Sequence, residues 1–393
     1  MSKEVVIVSF ARTPIGSFQG ALSSVSAPKL GAVAIKEAVS RAGINPSDVD
    51  EVIMGNVLPA GEGQAPARQA SIYAGLPHTV ECMTINKVCG SGLKAVMLAE
   101  QTIKAGDADI IVAGGMENMS QVPYYLPDAR TGMRMGNKQA IDGMVFDGLW
   151  DPYNNVHMGS CAENLSKEDN YTREEQDEFA IESYKRSLAS IENGLFKDEI
   201  VPVEVPQRRG GTSIVDTDEE PGKGRIDKMS KLRPAFDKEG TITAANASSI
   251  NDGAAVVVVM SKEKADALGL KPIAKIVAQA SAAQEPIYFT TAPVKAMKKA
   301  MKKANLDVSD IDLFEINEAF SNVTLAAMRE FNINRDKVNV NGGAVSLGHP
   351  IGASGARIFV TLLNAMNQQN AKRGLATLCI GGGEASAIIV ESL

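Results

Sequence analysis

The sequence predicts an α/β protein made of two similar halves, the first of which carries a long insertion. Three observations indicate this fold class: strand and helix patterns alternate near both ends, the last third repeats the first, and short segments rich in Pro, Gly and Asp lie between them. With 393 residues, of which 44% are hydrophobic, the chain can bury two or three cores. We predict one half at 1–119 and 248–270, an inserted loop domain at 120–247 and a second half at 271–393.

The first third alternates buried-strand and helix patterns. Apolar runs, the last of them ending on paired glycines, predict strands at 5–9, 50–54 and 109–117. Helical spacing that is stopped by a glycine predicts helices at 27–42, 64–74 and 93–105. Because strands and helices alternate, we expect parallel strands joined by right-handed crossovers.

Between about 120 and 247, short segments rich in Pro, Gly and Asp replace this alternation. One clear helix is predicted at 172–192, because Thr172 and Glu175 form a capping-box pattern before a long helical run. Residues that contact the substrate often lie in an inserted segment of this kind, which covers the core. The buried-strand pattern resumes at 251–260.

Four segments of the last third match four segments of the first third in the same order. The matched pairs are 272–277 with the opening strand, 310–315 with 48–53, 352–357 with 89–94 and 378–384 with 112–117. Two copies packed about a pseudo-twofold axis bring equivalent loops to one place. We therefore expect the Cys89 turn, the segment 317–320, the turn 348–350 and Cys379 to meet, so that the two thiols converge.

Cys89 lies where a strand hands over to a helix, in the run Val88-Cys89-Gly90-Ser91-Gly92. At a helix N-terminus the unpaired amides and the positive end of the dipole favour thiolate, so we expect a lowered thiol pKa. The small residues that follow leave room for a substrate carbonyl to reach the sulfur and the backbone N–H groups. The alternative is a buried structural cysteine.

The chain has three histidines, His78, His157 and His349. His78 lies in a loop and is interpreted as an exposed bystander. His349 is held between Gly348 and Pro350 just before the second helix start, where an imidazole could take the proton of a nearby thiol. The alternative is a turn histidine that caps backbone groups.

Two cysteines, a histidine and an asparagine suit acyl transfer between thioesters. A thiolate that attacks a thioester forms another thioester, which stays reactive toward a carbon nucleophile. The second cysteine, Cys379, is a suitable base for a proton alpha to a thioester carbonyl. Asn317 with His349 could hold the enolate oxygen, and amides near Cys89 and Gly381 could hold the tetrahedral oxyanion.

Over essentially its whole length the sequence resembles the thiolase family. The resemblance is carried by four motifs: Val88-Cys89-Gly90-Ser91-Gly92, Asn317-Glu318-Ala319-Phe320, 342–355 with Gly348-His349-Pro350, and Cys379-Ile380-Gly381-Gly382-Gly383. It implies the thiolase fold, in which two duplicated α/β halves are layered α-β-α-β-α and the first carries a loop domain. It also implies that Cys89 is the acylated nucleophile, His349 its activator, Cys379 the acid/base, and Asn317 the holder of a water at the enolate oxygen.

The resemblance extends to the substrate. The pair His157 and Met158 resembles the short-chain, biosynthetic branch, where the methionine limits acyl length and the histidine faces the pantetheine arm. It implies acetyl-CoA, acetoacetyl-CoA and CoA as reactants, with no other cofactor and no metal. Gly381 is a further catalytic residue implied by the family, and the further CoA or acyl contacts that it implies are Ser248, Ala319, Phe320, Lys223, Arg225 and Leu232. The alternative for Met158 is plain core packing.

Some positions depart from the family pattern. Gly222 stands where an arginine is common, with Lys223 or Arg225 as possible substitutes, and Ser249 and Ala385 stand where glycines are common. None of these positions supplies a group needed for bond making, so they bear on CoA affinity and on the shape of the acyl pocket.

Composition limits the partners. A net charge of −7 argues against a nucleic-acid surface over the whole molecule, and no apolar run approaches the ~20 residues needed to cross a bilayer. Four cysteines without metal-ligand spacing indicate a reducing compartment, and with no targeting segment visible we expect a cytoplasmic enzyme. By resemblance we expect a homo-oligomer, a dimer or a homotetramer formed through a loop at 130–142.

Other functions fit the sequence less well. A degradative 3-ketoacyl-CoA thiolase of broader specificity would use the same residues and differ in pocket size. A thiolase-like binding protein would be expected to lack one of the reactive residues, and a ketoacyl-ACP synthase to use two histidines. A dinucleotide enzyme lacks its Gly-x-Gly-x-x-Gly fingerprint after the first strand.

Overall fold

The computed structural model describes residues 3–207 and 210–393. Its strands are β1 (Val5–Arg12), β2 (Gly16–Ser17), β3 (Glu51–Gly55), β4 (Glu81–Ile85), β5 (Ile110–Asn118), β6 (Tyr124–Tyr125), β7 (Ile141–Asp142), β8 (Trp150–Asp151), β9 (Val156–His157), β10 (Val203–Pro206), β11 (Thr212–Val215), β12 (Asn251–Ser261), β13 (Ala274–Ala283), β14 (Leu313–Ile316), β15 (Arg373–Ile380) and β16 (Glu384–Ser392). Its α-helices are α1 (Ala27–Ala42), α2 (Pro66–Tyr73), α3 (Ser91–Ala105), α4 (Met158–Glu168), α5 (Arg173–Glu192), α6 (Lys262–Ala267), α7 (Ala292–Ala304), α8 (Ser321–Phe331), α9 (Ala344–Leu347) and α10 (Ile351–Gln369).

The two halves share one strand topology. In the first half β3, β4 and β5 are parallel, and β12 lies antiparallel between β5 and β1. In the second half β14 and β15 are parallel, and β16 lies antiparallel between β15 and β13. The parallel strands expected in the first third are confirmed, because β3, β4 and β5 pair parallel and β1, like β5, runs antiparallel to β12. β16 follows β15 after a short turn and β12 follows β5 after the inserted segment, and each returns antiparallel to the strand before it.

The halves meet at their first strands. β1 and β13 pair antiparallel, with Val6 opposite Lys275 and Ile7 opposite Ala274. Antiparallel pairing of two equivalent strands is what a twofold axis between the copies produces. The pairing joins both halves into one ten-stranded sheet in the order β14-β15-β16-β13-β1-β12-β5-β3-β4, with β2 beside β12.

Helices and sheet form five layers. One face of the first half packs on α1 and α2, and one face of the second half packs on α7 and α8. The other faces of both halves pack on α3 and α10, which form the shared central layer. Neighbouring residues of one strand point to different layers: Val5 and Ile7 enter the central core, whereas Val6 and Val8 face α1. This explains why the strand sequences are continuously apolar.

The central helices approach each other through equivalent glycines. A Cβ on Gly92 of α3 would lie 2.8 Å from the backbone nitrogen of Ala356 of α10. Reciprocally, a Cβ on Gly355 of α10 would lie 2.4 Å from the backbone nitrogen of Leu93 of α3. The contact brings the N-terminal turns of both helices together, and with them the segments that hold Cys89 and His349.

Strand β5 was expected to end on its paired glycines. Instead it continues through Gly114 and Gly115 to Asn118. A Cβ on Gly114 would lie 2.1 Å from the carbonyl oxygen of Ala255, and one on Gly115 would lie 2.0 Å from that of Gly352. Both glycines therefore permit close approach of a neighbouring backbone rather than a turn.

The segment between β5 and β12 holds α4, α5 and three two-stranded sheets. The capping box is confirmed: the side chains of Thr172 and Glu175 each accept a backbone N–H of the other residue at the start of α5. Buried ion pairs from Arg12 of β1 to Glu199, at 2.6 Å, and to Asp218, at 2.7 Å, tie this segment to the sheet. The domain boundaries given above stay a prediction. Within residues 3–207 and 210–393, no helix has the length and apolarity to cross a membrane.

Candidate active site

The turn that carries Cys89 is conformationally strained. Val88 has a φ of 45°, which is unusual for a β-branched residue. The hydroxyl of Ser91 donates to the Val88 carbonyl at 2.7 Å and accepts the N–H of Lys87 at 2.8 Å, and Asn86 Oδ1 accepts the N–H of Val88 at 2.9 Å. These bonds hold Cys89 just before Gly90, the N-cap of α3. Sequence reasoning missed this strain, because it depends on tertiary support.

The thiol of Cys89 is not acidified by the helix. Burial raises the pKa of Cys89 to about 11, and the nearby Glu117 raises it further, although the N–H groups of Gly381 and of Cys89 itself act in the opposite direction. The expected lowering of this pKa was therefore wrong, because desolvation outweighs the helix terminus here. A base is then needed to generate the nucleophile near neutral pH.

This pKa has a measurable consequence. We expect the alkylation rate of Cys89 by iodoacetamide, followed by peptide mapping, to rise about tenfold per pH unit between about pH 6 and 9, because only the thiolate reacts. The rate should not level off in that range, since the pKa lies at about 11. A plateau beginning below about pH 8 would contradict this expectation and would show that the helix N-terminus lowers the pKa of Cys89.

The turn that carries His349 packs against Asn251. Gly348 has a φ of 105°, and a Cβ there would lie 2.4 Å from Asn251 Cγ. The Oδ1 of Asn251, the first residue of β12, accepts the N–H of His349 at 2.8 Å and the hydroxyl of Ser249 at 2.9 Å. Ser249, noted above as a departure from the family pattern, thus supports the residue that positions His349.

The imidazole of His349 is neutral. Burial, and secondarily the charge of Arg357, lowers its pKa to about 3. Its Nδ1 lies 2.6 Å from the hydroxyl of Ser354, whereas Nε2 has no hydrogen-bond partner in the described part of the chain. An unprotonated Nε2 would be free to accept a proton.

Cys89 and His349 line one cavity of about 240 Å³, with walls that are mostly apolar. Met158 and an aromatic group made of Phe236, Phe289 and Phe320 form one side of it. Phe320 packs edge-on against both of the other rings at centroid distances of 6.2 Å. The complete lining is Cys89, Met119, Gly148, Leu149, His157, Met158, Phe236, Ala247, Ser248, Ser249, Ile250, Phe289, Ala319, Phe320, His349, Ile351 and Gly381.

His157 lines the same cavity and, like His349, is favoured in its neutral form. It caps α4, its Nδ1 accepts the N–H of Gly159 at 3.0 Å, and its ring stacks on Phe236 at 4.9 Å. Burial lowers its pKa, which favours the neutral ring. Because Nδ1 is an acceptor, the hydrogen of the neutral ring is on Nε2, and His157 can donate to a ligand.

Cys379 and Asn317 lie at the ends of neighbouring parallel strands. Cys379 is the penultimate residue of β15 and is 1% exposed. Burial raises its pKa well above the usual value, and the nearby Cys89 raises it further. The segments that carry the two thiols converge as predicted, since a Cβ on Gly90 would collide with the side chain of Ile380. Asn317 directly follows β14, its N–H donates to Thr377 at 3.0 Å, and its buried amide has no partner among the described residues. Neither residue lines the cavity surface itself.

Two buried carboxylates hold the surrounding loops, and sequence reasoning did not assign either of them. Glu117 accepts hydrogen bonds from the side chain of Asn56 and from the backbone of Val57, Leu58 and Gly352. Glu318 accepts hydrogen bonds from Ser183, Asn339 and the backbone of Val345. A carboxylate inside an apolar run, such as Glu117 in β5, is the signal that could have indicated this role.

The predicted CoA contacts are not all brought to the cavity. Ser248 and Ala319 line it, and the hydroxyl of Ser248 donates to the Ala319 carbonyl at 2.9 Å. Lys223, Arg225 and Leu232 lie outside the lining, on the exposed surface of the inserted segment. Lys223 is paired with Glu219 at 2.6 Å and Arg225 with Asp227 at 3.5 Å. The CoA roles of all five residues stay predictions.

Fold and cavity together define a class of protein. Two α/β copies place a thiol and a neutral imidazole at a shared, largely apolar cavity, beside a second buried thiol and an amide without a partner among the described residues. This is the arrangement of a cysteine-dependent acyl-transfer site.

Comparison with known proteins identifies the family. The family model "Thiolase, N-terminal domain" matches residues 5–263, and "Thiolase, C-terminal domain" matches residues 270–392. The chain therefore belongs to the thiolase family.

Similar sequences and structures cover the whole chain. The chain is 57% identical to an acetyl-CoA acetyltransferase of Cupriavidus necator, over 99% of both chains, and 54% identical to one of Pseudomonas aeruginosa, over 98% of both. The structure of an Acat5 thiolase from Ascaris suum in complex with coenzyme A has a TM-score of 0.94, at 46% identity and 100% coverage of both chains. The acetyl-CoA acetyltransferase of Bacillus anthracis has a TM-score of 0.97 at 42% identity, over 100% of this chain and 99% of that one. The thiolase fold predicted from the sequence is confirmed.

Proposed function

We propose that this chain is an acetyl-CoA C-acetyltransferase that reversibly converts two acetyl-CoA into acetoacetyl-CoA and CoA. The observation that carries the proposal is the cavity lined by both the Cys89 thiol and a neutral His349, whose Nε2 has no partner among residues 3–207 and 210–393. Relatives that are 52–57% identical over nearly the full length and are named acetyl-CoA acetyltransferase support it. CoA thioesters are the substrates, and the proposed steps use no other cofactor.

In the first step an acetyl group moves from CoA to the enzyme. His349 Nε2 takes the proton of Cys89, whose sulfur attacks the carbonyl carbon of acetyl-CoA. The N–H groups of Cys89 and Gly381, which favour the thiolate of Cys89, are proposed to stabilise the oxyanion. The C–S bond to CoA breaks, the proton passes to the leaving thiolate, and acetyl-Cys89 and free CoA result.

In the second step a carbon–carbon bond forms. Cys379 passes its thiol proton to Nε2 of His349, and the Cys379 thiolate removes a methyl proton from a second acetyl-CoA. The imidazolium of His349 and a water held on Asn317 stabilise the enolate oxygen. The enolate carbon attacks the acetyl carbonyl, the C–S bond to Cys89 breaks, and the Cys89 thiolate regains a proton from His349. A thiol with a raised pKa suits this step, because it is closer in basicity to the weak carbon acid than a carboxylate.

The acyl pocket favours short chains. Met158 and Phe289 line the same cavity as the reactive thiol, and Phe289 is 3% exposed. We expect the purified enzyme to thiolyse acetoacetyl-CoA at least about tenfold faster, in kcat/KM, than a medium-chain 3-ketoacyl-CoA, since extra methylenes would have to displace these side chains. Spectrophotometric thiolysis assays with both substrates test this expectation.

A variant of Met158 tests whether this side chain sets the preference for short acyl chains. Met158→Ala should raise kcat/KM for the medium-chain substrate by about 3- to 10-fold and leave acetoacetyl-CoA within about threefold. Equal turnover of both substrates by the wild-type enzyme would favour the broader degradative thiolase. Turnover of neither substrate would contradict the proposed function.

We further propose a cytoplasmic homotetramer that acts in lipid metabolism. The loop at 130–142 expected to form the tetramer includes Met135, whose side chain is 99% exposed, and nearby Tyr124 is 65% exposed. Large exposed apolar side chains in one segment suit a subunit contact. Sedimentation analysis of the wild type and of Met135→Asp tests the tetramer: the variant should sediment as a dimer.

A further inference from the structure

Ser354 connects His349 to the first turn of α10. Its hydroxyl lies 2.6 Å from His349 Nδ1 and donates to the carbonyl of Pro350 at 2.9 Å. The serine is completely buried. Ser354 lies within the motif at 342–355, and no role was assigned to it there.

Hydrogen counting at Ser354 indicates the tautomer of His349. A hydroxyl has one hydrogen, and the geometry directs it to the Pro350 carbonyl at 2.9 Å, which also accepts the N–H groups of Ala353 and Ser354. The 2.6 Å contact with Nδ1 then requires the hydrogen to be on Nδ1. A neutral imidazole carries only one N–H, so Nε2 of His349 is left as an acceptor.

The first half of the protein has an equivalent serine that makes similar hydrogen bonds. Ser91 is the equivalent of Ser354 in the duplicated helix start, and it donates to the carbonyl of Val88 and accepts the N–H of Lys87. Both serines therefore donate to a carbonyl of the preceding turn, and each hydroxyl has one further polar partner. In the first copy that partner is the backbone N–H of Lys87, whereas in the second copy it is Nδ1 of His349.

His157 provides an internal contrast. Its Nδ1 accepts a backbone N–H, so its hydrogen is on Nε2. The cavity thus has two histidines in opposite tautomers, and only His349 offers an unprotonated Nε2.

We propose that Ser354 is a positioning residue that holds His349 in the Nδ1–H tautomer, so that Nε2 can accept the Cys89 proton. The catalytic consequence rests on the proposed function, whereas the tautomer is a property of the folded protein and is measurable without substrate. Acting through His349, Ser354 contributes to the proton transfer and not to substrate binding.

Nitrogen NMR of the imidazoles tests the tautomer directly. With only three histidines in the chain, ¹⁵N-histidine labelling and long-range ¹H–¹⁵N spectra should resolve each ring, with His349→Asn assigning its signal. We expect His349 Nε2 at the shift of an unprotonated nitrogen and His157 Nε2 at that of a protonated one. A protonated Nε2 on wild-type His349 would overturn the proposal, whatever the activity of the enzyme.

Replacement of Ser354 tests its role. Ser354→Ala should shift the His349 signals toward a mixture of tautomers and lower kcat for thiolysis by roughly 10- to 100-fold, with KM within about twofold. Ser187→Ala is the matched control, because Ser187 is also buried and donates to a carbonyl three residues earlier, at Tyr184. That variant should keep kcat and the His349 signals of the wild type.

Two results for Ser354→Ala would contradict the inference. One is an unchanged Nδ1–H signal of His349, and the other is a loss of kcat no larger than in Ser187→Ala. If the wild-type enzyme lacked thiolase activity while the His349 tautomer was as expected, the proposed function would fail and the assignment of Ser354 to the tautomer would stand.

Discussion

Cys89→Ser is expected to lower kcat for acetoacetyl-CoA thiolysis by about 10³-fold or more, because the proposed reaction runs through a thioester on this sulfur. A hydroxyl is a far weaker acid than a thiol, and an oxygen ester is less reactive toward the CoA thiol. The substitution changes one atom at a half-buried position, so the fold should be retained. Steady-state assays measure the loss of rate. Mass spectrometry after incubation with acetyl-CoA should find one acetyl group on the wild type and none on the variant.

Cys82→Ser is the matched control for this variant. Cys82 is on β4, in the same strand-to-turn segment, and it is also half-buried but lies outside the cavity lining. It should keep kcat within about twofold, as is usual for substitutions away from a site. An acetyl group mapped to any cysteine other than Cys89 would refute the nucleophile assignment.

Cys379→Ser is expected to have an effect of similar size on the overall reaction, about 10³-fold or more, but at a different step. The variant lacks the base for the alpha proton, whereas Cys89 and His349 remain in place to accept an acetyl group. The acetyl-enzyme should therefore accumulate. Incorporation of deuterium from solvent into the methyl group of acetyl-CoA, which reports removal of the alpha proton, should be lost.

Cys161→Ser provides the buried-cysteine control for this second variant. Cys161 is fully buried, and its sulfur lies 3.7 Å from Asp151 Oδ2. It should keep the exchange rate of the wild type within about threefold. Undiminished deuterium exchange in Cys379→Ser would assign the alpha proton to another base. Failure of that variant to be acetylated would place Cys379 in the first step as well.

The duplicated architecture could be predicted from the sequence because its signals are local and occur twice. Apolar runs mark strands that are buried on both faces, and α1 and α3 end at Ala42 and Ala105, each followed by the predicted glycine. The motifs around Cys89, His349, Cys379 and Asn317 lie at equivalent ends of strands and helices. Their convergence therefore followed from the repeat without any knowledge of distances.

The parts of the site that sequence reasoning missed depend on contacts between distant segments. Asn251 holds the turn of His349 across 98 positions of the chain, and Glu117 holds Gly352 across 235. Phe236 and Phe289 come from different regions to form the wall of the cavity. No local pattern shows such pairings, because each of these residues would be an ordinary loop, strand or core residue in another fold.

By itself the sequence determined the fold class, the duplication and the residue types that make acyl transfer possible. Tertiary structure alone decided the chemical state of those residues. The helix start near Cys89 predicted an acidic thiol, but burial raises its pKa to about 11, because desolvation sums over every neighbouring atom and not only over one helix. Likewise the composition of the turn at 348–350 could not give the tautomer of His349, because that depends on where a single hydroxyl hydrogen of Ser354 is directed.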